Sequence, residues 1–420
     1  MRVAMVGMGT RGDAQPMVLL AAELKRRGYD VELALNTDLR WLGERLGVPT
    51  SDLELNAREF MESEQGRNWL ASGDMASYVR WLLDYKRRIA ELLHTKLIEH
   101  TAGADVVISG SVTELEAAVI AEAAQAQYVA VHYAPMRSNS AYPHMVVSRE
   151  VFSPERNLET YEQVEKGNWP VFAPFVNELR GKVGLPPTTL GTAARLEQTG
   201  SLELQIYSRH LVPELTEWGL RRPITGFLCP SDEQQAELNG AVDPELDRWL
   251  DGGDPPVYFG FGSMPVLDPR AALALIDQVS SKLGVRALVG AGWADLALST
   301  TTGGRVRVVG EFDHEAVLPR CRAAVHHGGA GTTGSSIRAG LPTVICAVFA
   351  DQPFWGARLK ALGVGNTLAF TDLSADTLLA ALEPLLADEP ADRAHHLAAK
   401  LRSESGVTAA ADAVERTVNA

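Results

Sequence analysis

The sequence predicts an α/β protein of two domains, each a parallel sheet covered by helices. Three observations carry this. Apolar runs of strand length alternate with amphipathic stretches of helical period in both halves of the chain. Most of these runs end in glycine or a turn residue, as strands do when they feed a crossover helix. The chain has 420 residues, enough for two domains of ordinary size.

The elements follow in order. RVAMVG (2–7) reads as a buried strand. After it, VGMGTRGDAQP (6–16) places Gly7, Gly9 and Gly12 as G-x-G-x-x-G, and Glu32 lies twenty residues beyond Gly12. That is the pattern of a dinucleotide fingerprint. Two details argue against it. Pro16 would remove a donor and clash inside a helix opening at Gly12, so the helix is expected to start between Asp13 and Pro16, with the proline in its first turn. Asp13 would also repel a pyrophosphate at that helix end. From this segment alone, a tight strand-to-helix turn with Asp13 as N-cap is the simpler reading.

DVELAL, DVVISG, YVAVHY and LELQIYS read as further strands, with helices such as ELEAAVIAEAAQA between them. Residues 56–100 are helical and carry Phe60, Trp69, Tyr78, Trp81 and Tyr85; residues 133–190 are rich in aromatics and proline without clean periodicity. Both look like insertions at the ligand-binding end of the sheet, although core packing explains most of these aromatics individually. The domains are expected at 1–212 and 231–400, with a linker at 213–230. A C-terminal helix at 401–420 is expected to pack back on the first domain. In the second domain PPVYFGFGS, LGVRALVGA, RVRVVGEF, AAVHHGGAG and PTVICAVF read as strands ending in turns.

Composition bounds the function. Net charge is −14, which disfavours nucleic acid or an anionic membrane as the main partner. Any phosphate must be held by a local site. The three cysteines, Cys229, Cys321 and Cys346, show neither metal spacing nor a disulfide framework. No leader or membrane-length apolar run is read at the start of the chain, so a cytoplasmic location is expected.

The chemistry concentrates in AAVHHGGAGTTGSSIRAGLP (323–342). Glycines let backbone N–H groups approach an anion, the following helix adds partial positive charge, and His327 and Thr332 can donate. This reads as a diphosphate cradle. His326 and His327 are adjacent on a strand and point to opposite faces, which argues against a metal. Asp351 and Gln352, just after a strand, suit vicinal sugar hydroxyls, and they equally suit a helix start. Ser263 in FGFGSM is a candidate phosphate donor. Trp293 in GAGWADL serves equally well as a base platform or as a packed indole.

The set GTRGDAQP, FGFGSM, GEFDHEAVLPRC, HHGGAGTT and DQPFWGARL, in this order, resembles the UDP-dependent glycosyltransferase superfamily, in particular its bacterial natural-product and sterol glucosyltransferase branch. The resemblance spans the chain and is most specific from residue 256 to 365. It implies the GT-B architecture: two Rossmann-like domains facing across a cleft, the first for the acceptor and the second for the nucleotide sugar. It implies that His327, Gly329, Ala330, Gly331 and Thr332 hold the diphosphate. Asp351 and Gln352 would bind the sugar, and residues 309–312, with Phe312, would contact the base. Many members carry histidine as general base where this chain has Asp13, with an aspartate near DVVISGSVTE where this chain has Ser109, Ser111 and Thr113.

The implied reaction is inverting, metal-free transfer of a hexose from a nucleotide sugar to a hydroxyl of a bulky apolar aglycone. Asp13 would be the base, and Thr10, with His327 and the helix N-terminus, would stabilise the departing diphosphate. UDP-glucose is favoured over a dTDP-deoxysugar. Trp69, Tyr78, Trp81, Tyr142 and Phe175 are the candidate acceptor contacts. No cofactor is expected. An oxidoreductase, a hydrolysing sugar-nucleotide epimerase and a non-catalytic nucleotide-sugar sensor are the competing classes.

Overall fold

The structure is a computed structural model that describes residues 1–62, 75–240, 242–260, 269–292, 304–310 and 312–419, the side chains of 60–62 and 75–80 excepted. Trp69, Tyr78, Ser263 and Trp293 therefore lie outside the described residues or side chains. The chain forms two compact units. The first comprises Met1–Ala57, Tyr78–Cys229 and Ser405–Ala420, and the second contains Pro230–Glu404.

In the first unit the strands are β1 (Arg2–Gly7), β2 (Asp30–Leu35), β3 (Thr50–Asp52), β4 (Val106–Gly110), β5 (Gln127–His132) and β6 (Leu202–Gln205). They pair in parallel in the order β3-β2-β1-β4-β5-β6. In the second unit β7 (Val257–Gly260), β8 (Ala287–Gly290), β9 (Val306–Val309), β10 (Ala323–His326), β11 (Thr343–Ala347) and β12 (Gly365–Ala369) are parallel in the order β12-β11-β10-β7-β8-β9. Relabelled from each unit's own first strand, the two orders are the same doubly wound pattern. Its switch points lie between β1 and β4 and between β7 and β10, where open α/β sheets form their ligand crevice. Helices cover both faces of such a sheet, so the central strands are buried runs: Val3–Val6 and Val106–Ile108 are at most 1% exposed.

Five of the second unit's strands fall on the runs the sequence marks. β3 and β12 do not. Each lies at a sheet edge and is short or polar, TSD and GNTLA, so neither carries an apolar signal.

The first helix, α1, spans Arg11–Arg26 and so starts earlier than expected. Thr10 is its N-cap and Asp13 its N3 residue, paired as a capping box. Pro16 consequently lies in the second turn, where it withholds a bond from the carbonyl of Gly12. Helix α2 (Met75–Thr101) and helix α3 (Glu114–Ala123) follow. The stretch read as aperiodic contains a 29-residue helix, α4 (Pro154–Lys182), opened by a Ser153 cap with proline at N1. Pro170 and Pro174 hide it from a sequence reading, since interior prolines normally break helices. Burial of Phe175, Val176 and Leu179 against Leu93, Leu97, Val119 and Ile120 offsets that cost.

The last helix, α7 (Gly406–Val418), belongs to the first unit and packs on α1. (Helices α5, Ala330–Arg338, and α6, Gln352–Ala361, belong to the second unit.) A Cβ at Gly406 would sit 2.2 Å from the Phe227 carbonyl oxygen, so only glycine allows the helix to begin there. Arg27 at the end of α1 donates to Asp412 at 2.7 Å and to Glu415, and its Nε reaches Glu23 at 2.8 Å. Arg27 is largely buried while its α7 partners are one-third to one-half exposed, so screening limits the gain. Arg27→Ala should destabilise the first unit by about 1 kcal/mol and lower Tm by about 2–4 °C. The effect should also depend on acid. Hydrogen bonds from Arg26 and then Arg27 hold the Glu23 carboxyl down at about 2, against partial burial. This stabilisation is complete above the ordinary carboxylate range and is lost as pH falls toward 2. The gap in Tm between wild type and Arg27→Ala should therefore narrow between pH 5 and pH 2.

Candidate functional site

In the first unit the loop after β1 is built around one carboxylate. Asp13 Oδ2 accepts from the Thr10 backbone N–H at 2.8 Å and from Thr10 Oγ at 3.0 Å. Gly9 has φ +134°, and a Cβ there would lie 2.4 Å from Asp13 Oδ2. The glycine at this position is thus imposed by the carboxylate itself. Gly9 N–H donates to Asn36 Oδ1 at 2.9 Å, tying the loop to the end of β2. From the other side, Tyr133, just past β5, donates its hydroxyl to the Asp13 backbone carbonyl at 2.9 Å. Burial raises the Asp13 pKa above its ordinary value of 3.8, outweighing the lowering by the Thr10 bonds. A carboxylate so placed has one oxygen anchored and is a stronger base than a solvated one.

The aspartate found in histidine-based relatives of this pattern has no counterpart here. Ser109 spends its hydroxyl on Tyr128 OH at 2.7 Å, and Thr113 is buried with its hydroxyl unpaired among the described residues.

In the second unit β10 ends at His326, and Gly328 and Gly329 lead into α5 (Ala330–Arg338). Gly328 has φ +94°, and a Cβ there would meet Ile345 Cγ2 at 2.4 Å and Gln352 Cβ at 3.2 Å. The turns after β10 and β11 are therefore packed against each other. His326 is fully buried, and its Nδ1 accepts from Gly328 N–H at 3.0 Å. This fixes its proton on Nε2. Burial keeps it neutral, well below the usual histidine value. His327 is partly buried, and burial pushes it down to about 4, against a hydrogen bond to the Gly260 backbone at the end of β7. It is a neutral side chain at the switch point.

No side chain caps α5. Its ladder begins with Thr333 N–H to Gly329 O at 2.9 Å, so the N–H groups of Ala330, Gly331 and Thr332 precede it. Gly331 is exposed, and a Cβ there would meet nothing within 4 Å. Thr332 is partly exposed, whereas Thr333 is buried. Open N–H groups, open space and a helix dipole make this end suited to an anion.

After β11 comes α6 (Gln352–Ala361), with Asp351 as N-cap. Trp355 Nε1 donates to Asp351 Oδ2 at 2.8 Å. Gln352 is buried, and its Oε1 accepts from the N–H groups of Val348 and Phe349 at 2.8 and 3.2 Å. The amide thus shapes the turn as well as standing in it. Phe312 is partly buried in an edge-to-face cluster with Tyr258 and His314, ring centroids 5.7 and 4.9 Å away.

The structure places the remaining sequence candidates in the interior. Trp81, Tyr142 and Phe175 are 7%, 2% and 7% exposed. Tyr142 donates its hydroxyl to the Glu214 carboxylate, and Phe175 packs 5.6 Å from the His94 ring. Asn36, Tyr133 and Trp355 escaped the sequence reading. Each acts on a residue distant in sequence or through a specific rotamer, and nothing in the local pattern signals it.

Residues 3–143 match the glycosyltransferase family 28 N-terminal domain, and residues 295–417 match the C-terminal domain typified by erythromycin biosynthesis protein CIII. The chain is 33% identical over 420 residues to an uncharacterized glycosyltransferase of Mycobacterium leprae, covering 99% of this chain and 96% of that one. It is 29% identical over 426 residues to a sterol 3-beta-glucosyltransferase of Arabidopsis thaliana, covering 98% of this chain and 65% of that protein. Among solved structures, the glycosyltransferase of kitacinnamycin superposes with a TM-score of 0.69 at 19% identity, over 99% of this chain and 98% of that one. The glycosyltransferase VinC, solved in complex with dTDP, gives 0.66 at 19% identity over all of both chains. At these identities the solved structures speak for the fold.

The glycines of the first loop make a test of its geometry. Gly9→Ala must strain a left-handed backbone and displace the Asp13 carboxylate, and should lose about 1–3 kcal/mol. A Cβ at Gly12 would meet only Thr10 Oγ, at 3.6 Å. Gly12→Ala should therefore be neutral or slightly stabilising in thermal melts.

Proposed function

From the premise that this chain belongs to the GT-B glycosyltransferases, we propose that it transfers a hexose from a nucleoside diphosphate sugar to a hydroxyl of a bulky apolar aglycone. The observation that carries the donor half is the uncapped N-terminus of α5 after His327, with open space at Gly331. Its N–H groups and His327 hold the diphosphate; a protein of net charge −14 needs such a local anion site. Phe312 lies beside the nucleobase. Asp351 and the Gln352 amide meet the sugar hydroxyls, and UDP-glucose is the favoured donor. The sterol glucosyltransferase relative and the natural-product neighbour support an acceptor of polycyclic, polyketide or sterol type.

Asp13 is the general base. It removes the acceptor proton as that oxygen attacks the anomeric carbon, and the diphosphate leaves toward the α5 N-terminus and His327. A single displacement inverts the anomeric centre and needs no metal. Thr10 fixes the carboxylate. A dTDP-deoxysugar donor is the second reading. It is favoured by the Asp351 oxygen bound to Trp355 and the Gln352 oxygen bound to the turn, which leave fewer groups for sugar hydroxyls.

Asp13→Asn keeps the turn and cap, since asparagine caps about as well. It should bind donor normally and lose roughly 10²–10⁴-fold in transfer. In the wild type the acid limb of kcat/KM should lie above the ordinary carboxylate value, with activity falling as pH drops through it; in the variant that limb should vanish. Gly331→Ala separates donor binding from fold. It should keep or raise Tm, because alanine favours the helix, yet weaken UDP binding by calorimetry. Undiminished UDP affinity in a folded Gly331→Ala protein would move the diphosphate elsewhere. A panel of UDP-glucose, dTDP-glucose and a dTDP-deoxysugar decides between the two donors.

A further inference from the structure

Tyr133 reaches Asp13 from two strands away. It follows β5, and Asp13 follows β1, with β4 between them in the sheet. Its hydroxyl crosses the end of β4 at Gly110 and donates to the Asp13 carbonyl at 2.9 Å. A Cβ at Gly110 would stand 3.1 Å from that hydroxyl oxygen and 3.5 Å from the ring, tighter than a relaxed contact. Burial, reinforced by the nearby Asp13 charge, keeps the phenol protonated, well above its usual value. It is thus a permanent donor. Thr10 restrains the Asp13 side chain, but a side chain fixed to its own loop still moves with that loop. The Tyr133 bond is the one among the described residues that ties the Asp13 backbone to the far side of the switch point.

We infer that Tyr133 is a positioning residue for the Asp13 base, acting through the Asp13 carbonyl across a gap that Gly110 keeps open. The inference rests on the reading of Asp13 as base. Tyr133 touches neither the acceptor proton nor the donor. It holds the carboxylate where proton transfer and attack coincide, and small displacements of such groups are expensive in rate.

The test uses the full-length enzyme with UDP-glucose and two acceptors of different acidity, 4-nitrophenol and cholesterol. Tyr133→Phe preserves the ring. It should lower kcat with the alcohol by about tenfold and leave the UDP-glucose KM within about twofold. With 4-nitrophenol, already acidic, the loss should shrink below about threefold, since less help is needed from the base. In an Asp13→Asn background, Tyr133→Phe should cause no further loss. Gly110→Ala, which crowds the hydroxyl without deleting it, should reproduce the acceptor-dependent loss.

An equal loss with both acceptors, or the same factor in the Asp13→Asn background, would make Tyr133 a merely structural residue and overturn the inference. So would full activity of Tyr133→Phe while Asp13→Asn is inactive, an outcome that leaves the base reading intact. An active Asp13→Asn enzyme would instead remove the base reading, and the inference with it.

Discussion

Parallel pairing is the constraint on which everything else in this molecule depends. Parallel strands cannot be joined by a tight turn, so each must cross over through a helix and return. Every strand of a sheet then ends at the same edge, and every following helix starts there. In both units the edge gathers the functional loops: Gly7–Asp13 after β1, Gly110 and Tyr133 after β4 and β5, His327–Thr332 after β10, Asp351–Gln352 after β11. The doubly wound order opens a gap at β1/β4 and at β7/β10, where neighbouring crossovers go to opposite faces. Within each unit these residues are scattered in sequence because the sheet, not the chain, brings them to one edge.

The two edges solve opposite electrostatic problems. On the proposed reading the second unit attracts an anion within an acidic protein, and the means offered are backbone dipoles at the α5 N-terminus. The open N–H groups of α5 carry no counter-charge to be neutralised, and His326 and His327 stay neutral under burial. The first unit must hold a charged carboxylate without quenching it. Asp13 stands near the positive end of α1, which by itself would lower its pKa. Among the described residues the carboxylate accepts from the Thr10 N–H and hydroxyl. By contrast, Glu114 at the start of α3 is paired with Arg137 and His132, and these hold it well below the carboxylate range. That network runs on through Arg137 to Glu203 and Arg222, and through His132 to Gln205.

Much of this was legible in the sequence, and the residues explain where reading stopped. Buried central strands announce themselves, because a strand covered on both faces must be apolar throughout. Edge strands such as TSD and GNTLA have no such obligation. The helix over Pro154–Lys182 was masked by two prolines whose local penalty is offset only by tertiary packing of Phe175, Val176 and Leu179. Gly328 could be read as a required glycine, yet its reason, contact with Ile345 and Gln352, is tertiary. The capping box at Thr10 and Asp13 was readable in principle from spacing. The G-x-G-x-x-G pattern competed with it and shifted the expected helix start by several residues.

A capping Asp13 and the proposed base Asp13 are physically compatible. A cap accepts backbone and hydroxyl hydrogen bonds, and these stabilise the charged form and weaken it as a base. Burial does the reverse by removing solvent. Both act on the same carboxyl here, and the larger is burial, so the net shift is upward. Both bonds from Thr10 go to one oxygen, Oδ2, which Gly9 leaves room for. Capping by Thr10 therefore fixes the orientation of the group through one oxygen. A histidine at this position would need a partner on its second nitrogen, a carboxylate or a backbone carbonyl, to set its tautomer. The loop around Asp13 orients its carboxylate with a threonine and a glycine of the same loop.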